Sequence, residues 1–377
     1  MHKIKWYIFV FAIFLNISTD AQFIDKTLTV EGNVRSYKVY LPINYDTNNE
    51  LPLLFNFHGG GGNINDQIAI SDMRSMADIA QFILVYPQAF PDPNDGGSTN
   101  WTHKDPATID DIHFVSAMID SIANEYSIDQ SRVYACGYSN GGEFTFELAC
   151  RLTDRIAAIG VVARSMFIET FNNCNPNHPT AVVTIHGTED EYDGIIFGGF
   201  TWYVSLDDVN EYWSVYNQTS SEPVITNIMD SDPSDGSTVE LQKWNNGEGC
   251  VSVEHYKVIG GGHDWPGSFG NNDIDSDLIL WNFMSRYNMD GLITCNSTSS
   301  ENLDIQYFQI YPNPTNNSIQ IKREKIERVE YELYSNNGQF IRKGWIIDSE
   351  ETLSLKALKA GVYILKIKNQ LFKIFKI

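Results

Sequence analysis

Ser139 stands in the stretch "YACGYSNGGEFTF" (Tyr134 to Phe146), with Gly137, Gly141 and Gly142 around it and a strand-forming run directly before it. A hydroxyl lifted on a tight glycine turn between a strand and a helix is placed to attack a carbonyl. An unassisted serine is a poor nucleophile, so the chemistry needs a base and a carboxylate behind that base. In this arrangement the chain order is serine, then acid, then histidine. The acid can come from Glu189, Asp190, Glu191 or Asp193, which follow the strand-like "AVVTIHG". The base can be His263, which follows another strand and three glycines in "VEHYKVIGGGHDWPG". Upstream, "FNFHGGGGN" ends in four glycines, Gly59 to Gly62. Their backbone N–H groups, with that of Asn140, can aim two donors at the oxygen that becomes negative during acyl transfer. A phosphate-binding loop would need a following Lys-Ser/Thr, which is absent. His58 and His186 each open a His-Gly turn and read as structural. Trp101 in "NWTH" and Trp265 either line an acyl or aromatic pocket or belong to the core.

These residues need a scaffold that brings strand ends together. "LPLLFNF", "FILVYP", "RVYACGY", "AAIGVVA" and "AVVTIHG" are short and almost continuously apolar, as strands buried on both faces are. Ile109, Ile112, Val115, Ile119, Ile122 and Tyr126 recur at helical spacing, with Thr108 as the expected N-cap and Asp110 and Asp111 in the first turn. Strands alternating with helices predict a doubly wound α/β sheet, whose strand-end loops carry the chemistry. From Gln306 onward the pattern changes to period two, and Asn337-Gly338 marks a hairpin between two such runs. That piece predicts a small C-terminal all-β sandwich.

Charge divides the chain at the same place. The formal net charge is −22, yet residues 306–377 carry 12 Lys/Arg against 7 Asp/Glu, leaving 14 against 41 before them. So acidic a body argues against a nucleic-acid or anionic-membrane partner. The N-terminus has Lys3 and Lys5, an apolar run from Trp6 to Leu15 and small residues before Gln22. This reads as a signal peptide over residues 1–21, with a retained anchor as the alternative. The expected division is then a catalytic domain at 22–288, a polar linker at 289–305 and the sandwich at 306–377. Five cysteines suit an oxidising destination, and the odd number leaves at least one unpaired. Cys136 reads as a small buried core residue. Cys150, closing the helix after the turn, and Cys174, in a polar loop, are the better candidates for a bridge.

Through "HGGGG", "DDIHFVSAMIDSIANEYSIDQSRVYACGYSNGGE", "HGTED" and "GGGHDWPG", the chain resembles secreted esterases of the family that includes poly(3-hydroxybutyrate) depolymerases and feruloyl or acetyl-xylan esterases. The likeness runs from about Thr27 to Tyr287. It implies an α/β-hydrolase fold without metal or cofactor, with Ser139 as nucleophile, Asp190 as acid and His263 as base. It also implies oxyanion-hole amides at Gly60 and Asn140 and an intact Cys150–Cys174 pair. Two departures stand out: Asp264 replaces the family's usual threonine after the histidine, and "NQT" at Asn217 to Thr219 lacks a cysteine. The latter leaves Cys250 alone or paired with Cys295. "IYPNPTNN", "YSNNGQFI" and "LKAGVYILKI" resemble the type A sorting domain of the type IX secretion system of Bacteroidetes. A carbohydrate-binding sandwich is the alternative for that piece.

The expectation is a secreted or cell-surface serine esterase acting on a polymeric ester, exported by the type IX machinery, with no membrane span after signal cleavage. Feruloyl or acetyl esters of plant polysaccharide lead as substrates, ahead of a polyhydroxybutyrate polyester. A serine peptidase and a catalytically dead binding module are the remaining alternatives.

Overall fold

A computed structural model describes residues 23–91, 96–101, 110–190, 202–295, 308–323 and 327–377. The expected signal peptide, Thr108, Glu191, Asp193 and most of the expected linker lie outside these residues. Among the described residues no helix is long and apolar enough to cross a membrane.

The body of the protein is one ten-stranded sheet. It is built from β1 (Phe23–Val30), β2 (Asn33–Tyr40), β3 (Leu51–Phe57), β4 (Ile83–Pro87), β5 (Ile128–Tyr138), β6 (Ala158–Val162), β7 (Ala181–Gly187), β8 (Val224–Asn227), β9 (Thr238–Trp244) and β10 (Val253–Ile259). Their spatial order is β1-β2-β4-β3-β5-β6-β7-β10-β9-β8. The six central strands, β4 to β10 in that order, run parallel, and antiparallel strands flank them on both sides. All seven residues of β3 and of β7 are buried, which explains their unbroken apolar character. Both faces are covered. Helices α1 (Ile64–Ile70) and α2 (Arg74–Ala80) precede α3 (Asp111–Glu125), α4 (Asn140–Arg151), α5 (Ile168–Asn173), α6 (Leu206–Tyr216) and α7 (Ser276–Met284). One apolar cluster joins sheet residues to α3, α4 and α6, and the other joins them to α2 and α7. This is the expected α/β-hydrolase arrangement. Each large side chain taken out of water there contributes roughly 1.5–3 kcal/mol before entropy is counted.

The start of α3 differs from expectation. Its N-cap is Asp110, whose side chain accepts from the His113 amide, and Asp111 is buried in an ion pair with Arg35. Two antiparallel strands close the body, β11 (Tyr287–Asn288) and β12 (Gly291–Leu292). Cys295, just beyond, forms a disulfide with Cys250, while Cys150 pairs with Cys174. Residues 289–295 are therefore folded onto the catalytic body, where the sequence suggested that a linker begins. Cys136 is free and buried in β5.

The C-terminal unit has two antiparallel sheets. One holds β13 (Gln309–Tyr311), β14 (Ser318–Lys322) and β17 (Glu350–Ser354); the other holds β15 (Val329–Ser335), β16 (Phe340–Ile346), β18 (Gly361–Ile367) and β19 (Gln370–Lys376). They enclose a small core that includes Ile319, Ile321, Leu333, Ile346, Leu365 and Ile374. Alternation along β14, with Ile319 and Ile321 inward, is what one covered face demands. The unit rests on α7: Asn282 makes two hydrogen bonds with the backbone of Leu371, and Lys373 pairs with Asp275 at 2.6 Å.

Candidate active site

Ser139 leaves the end of β5 with φ 53° and ψ −122°, and α4 begins at the next residue. A residue other than glycine rarely holds positive φ, and the surrounding contacts enforce it here. The Ser139 amide donates to the Val162 carbonyl at 3.0 Å, and the Ser139 carbonyl accepts from the Glu143 amide at 3.0 Å. Gly141 fits because the turn presses against β3: a Cβ there would lie 2.5 Å from the carbonyl oxygens of Phe57 and His58.

His263 and Asp190 come from the loops after β10 and β7, which are adjacent parallel strands. The two loops touch at Gly187, where a Cβ would sit 2.2 Å from the Gly261 carbonyl oxygen. Backbone bonds from Thr188 to Val258 (2.9 Å) and from Glu189 to Gly261 (2.8 Å) hold them together. The result is a continuous polar line: Ser139 Oγ lies 2.8 Å from His263 Nε2, and His263 Nδ1 lies 2.8 Å from Asp190 Oδ2. Asp190 is buried (2% exposed), whereas its neighbour Glu189 is exposed. A carboxylate on Nδ1 fixes the tautomer in which Nε2 can accept the serine proton and favours the imidazolium that then forms. Asp264 takes no part in this line; its carboxylate accepts from the Gly262 amide at 3.0 Å.

The glycine loop after β3 lies against the elbow. A Cβ on Gly59 would be 3.4 Å from Ser139 Cβ, and one on Gly60 would be 3.4 Å from Asn140 Cβ. Trp101 clamps the two: its backbone N–H donates to Asn140 Oδ1 (2.7 Å), its indole N–H to the His58 carbonyl (2.8 Å), and its ring stacks on Phe144 of α4. His58 is structural, as expected, with Nδ1 at the Gly59 carbonyl and Nε2 accepting from the Ala89 amide. Trp101 and Trp265 are 2% and 1% exposed, so both sit beneath the surface around Ser139 and present no face to a substrate. Of the two roles the sequence left open for them, pocket lining and core, this burial fits the core.

Other side chains around the line were given no part in it by the sequence. His186, read as a turn residue, points Nε2 at Asp190 Oδ2 from 3.5 Å, and burial pushes its pKa down to about 4, leaving it neutral. Tyr138 donates its hydroxyl to the His263 carbonyl at 2.7 Å. One turn into α4, buried Glu143 accepts from the Tyr203 hydroxyl at 2.9 Å, and the Arg164 guanidinium lies 4.0 Å over the Tyr203 ring. α4 is buried all along Gly141–Cys150, so no periodicity marks Glu143 in the sequence. No set of three or more His, Cys, Asp or Glu among the described residues is arranged to hold a metal ion.

The profile of the family described as "Esterase PHB depolymerase" matches residues 35–177, and that of the "Secretion system C-terminal sorting domain" matches residues 309–376. A bifunctional acetylxylan esterase/xylanase of Neocallimastix patriciarum is 26% identical over 273 residues, covering 72% of this chain and 36% of its own length. Feruloyl esterase D of Neurospora crassa is 25% identical over 269 residues, covering 70% of this chain and 85% of its own. Among solved structures, an acetyl xylan esterase from Aspergillus awamori superposes with TM-score 0.48 at 16% identity, over 64% of this chain and 94% of that one. Residues 35–177 thus match the esterase family of the PHB depolymerases, and residues 309–376 match the secretion system C-terminal sorting domain.

Proposed function

We propose that the protein is an exported serine carboxylic-ester hydrolase working through an acyl-enzyme. The observation that carries this reading is the unbroken Ser139–His263–Asp190 line, with both contacts at 2.8 Å. Ser139 Oγ attacks the ester carbonyl as His263 Nε2 takes its proton, and the carbonyl π electrons move onto oxygen. The amides of Gly60 and Asn140 receive that oxyanion. When the tetrahedral species collapses, the C–O bond to the alcohol breaks and the alcohol leaves with the proton from Nε2. Water then attacks the acyl-enzyme with His263 again as base, releasing the acid and restoring Ser139. Asp190 keeps its negative charge throughout and orients the ring. Feruloyl or acetyl esters of plant polysaccharide are the proposed substrates, supported by the names of the relatives above. The C-terminal unit is proposed to direct export by the type IX machinery.

A panel of methyl ferulate, acetylated xylan, a polyhydroxybutyrate film and a peptide amide tests the reading. Turnover of either of the first two is expected. Turnover of the film alone would move the substrate to a polyester, and turnover of the amide alone would overturn the esterase assignment.

A further inference from the structure

Trp265 lies two residues beyond His263, and its only polar side-chain atom donates to Asp277 Oδ1 at 3.1 Å. Asp277 occupies the first turn of α7 and is partly buried. The same oxygen accepts from the Ser71 hydroxyl at 2.7 Å. Ser71 is in turn fixed by Asn56 of β3 (2.8 Å) and by the Tyr86 hydroxyl of β4 on its carbonyl. The Trp265 ring meets the Tyr138 ring edge-on, and Tyr138 holds the His263 carbonyl. The loop that carries His263 is thus fastened at two points, by Tyr138 at His263 itself and by Asp277 at Trp265.

We propose that Asp277 is a positioning residue for the base, fixing the His263 loop to the sheet through the indole of Trp265. The inference rests on the serine-hydrolase reading above. The oxygen of a neutral amide could accept both bonds, from the indole N–H and from the hydroxyl. What the acid adds is titration. Burial, and then the negative charge of Asp275, push the Asp277 carboxyl up to about 7. Ionised, it is acceptor-only and holds both donors more strongly. The groups around it are Asp275 on its own helix, Lys373 on β19, Asp72, Arg74 and Asp78 at α2, Tyr40 on β2, Tyr86 on β4 and Cys136 on β5.

Steady-state hydrolysis of a soluble ester by Asp277→Leu, Asp277→Asn and Trp265→Phe tests this. Asp277→Leu should lower kcat by roughly 10–100-fold with KM little changed, since displacing a catalytic group by about 1 Å can cost 10²-fold. Asp277→Asn keeps an acceptor and should recover most of kcat, while the inflection near pH 7 that Asp277 adds to the wild-type profile disappears. Trp265→Phe removes the N–H but keeps a ring, so it should lower kcat as the leucine variant does even if that variant folds poorly. Wild-type kcat in both Asp277→Leu and Trp265→Phe would overturn the inference, as would equal losses in the leucine and asparagine variants with an unaltered pH profile. An inactive wild-type enzyme would instead count against the serine-hydrolase reading.

Discussion

The two sheets systems of this chain handle their strand ends in opposite ways. In the body, six neighbouring strands run parallel, so the loops after β3, β5, β7 and β10 emerge along one edge. Those four loops supply the glycine run, Ser139, Asp190 and His263. In the C-terminal unit every neighbouring pair of strands is antiparallel, loops alternate between the two ends, and no such gathering occurs. Charge follows the same division, strongly acidic before residue 306 and basic after it. Topology and residue supply both decide where chemistry can assemble: residues 306–377 hold a single aspartate, Asp348, and no histidine, and no edge collects the serines and glutamates they do have.

The contrast breaks most visibly at Ser139. Ser139→Ala should lower turnover by roughly 10⁴–10⁶-fold with the fold intact, and His263→Ala should do the same. Asp190→Asn should cost somewhat less, and a far larger loss in Asp193→Asn would reassign the acid. Next come the bridges of the body, for which the C-terminal unit has no counterpart. Replacing Cys150 and Cys174 by serine opens a loop of sequence separation 24 and should lower stability by about 3 kcal/mol in denaturant titrations. Non-reducing peptide mapping should recover Cys150–Cys174 and Cys250–Cys295.

A pH comparison sharpens the role of Asp277. Asp277 holds its proton up to about pH 7 when folded but only to about 3.9 when unfolded, so the cost of folding grows as pH rises between those values and is complete above them. Asp277→Asn should therefore gain stability relative to wild type above pH 7, by up to a few kcal/mol, and lose that advantage near pH 4. Thermal melts of the pair across pH 4–8 measure it. The smallest effect belongs to removal of the C-terminal unit. A chain ending after Cys295 should hydrolyse a soluble ester close to the full-length rate, with a modest loss of melting temperature from uncovering α7. In the native host it should stay in the periplasm. If export were unchanged and binding to insoluble polymer were lost, the unit would be a substrate-binding module.

Much of the body was legible because burial on both faces leaves unbroken apolar runs, as in Leu51–Phe57 and Ala181–Gly187. The edge strands β1, β2, β8 and β9 were not, since partly exposed strands such as Val224–Asn227 mix polar and apolar residues. Ser139 and His263 announced themselves by their glycine turns. Asp190 did not stand out among four acids until the resemblance selected it, because the selection is made by the contact of Gly187 with Gly261, a long-range event. The same holds for Tyr138 and Asp277, whose partners His263 and Ser71 lie far away in the chain. Trp101 and Trp265 were visible as residues, but whether an indole faces a pocket or a core is decided by packing alone. The boundary after residue 288 was set from polar composition, which carries no sign that Cys295 is tied back to Cys250.

Cys136 gives the body an internal clock. Its thiol is fully enclosed between β3 and β6, and burial pushes its pKa well above the usual thiol value. Disulfide exchange proceeds through the thiolate, so the folded protein cannot turn this sulfur against either bridge. An unfolded chain has no such protection, and there Cys136 competes with four other thiols for oxidation. Burial of Cys136 in the central strands removes that competitor. Once those strands have formed, the rate at which Cys136 is alkylated counts the openings of the sheet itself.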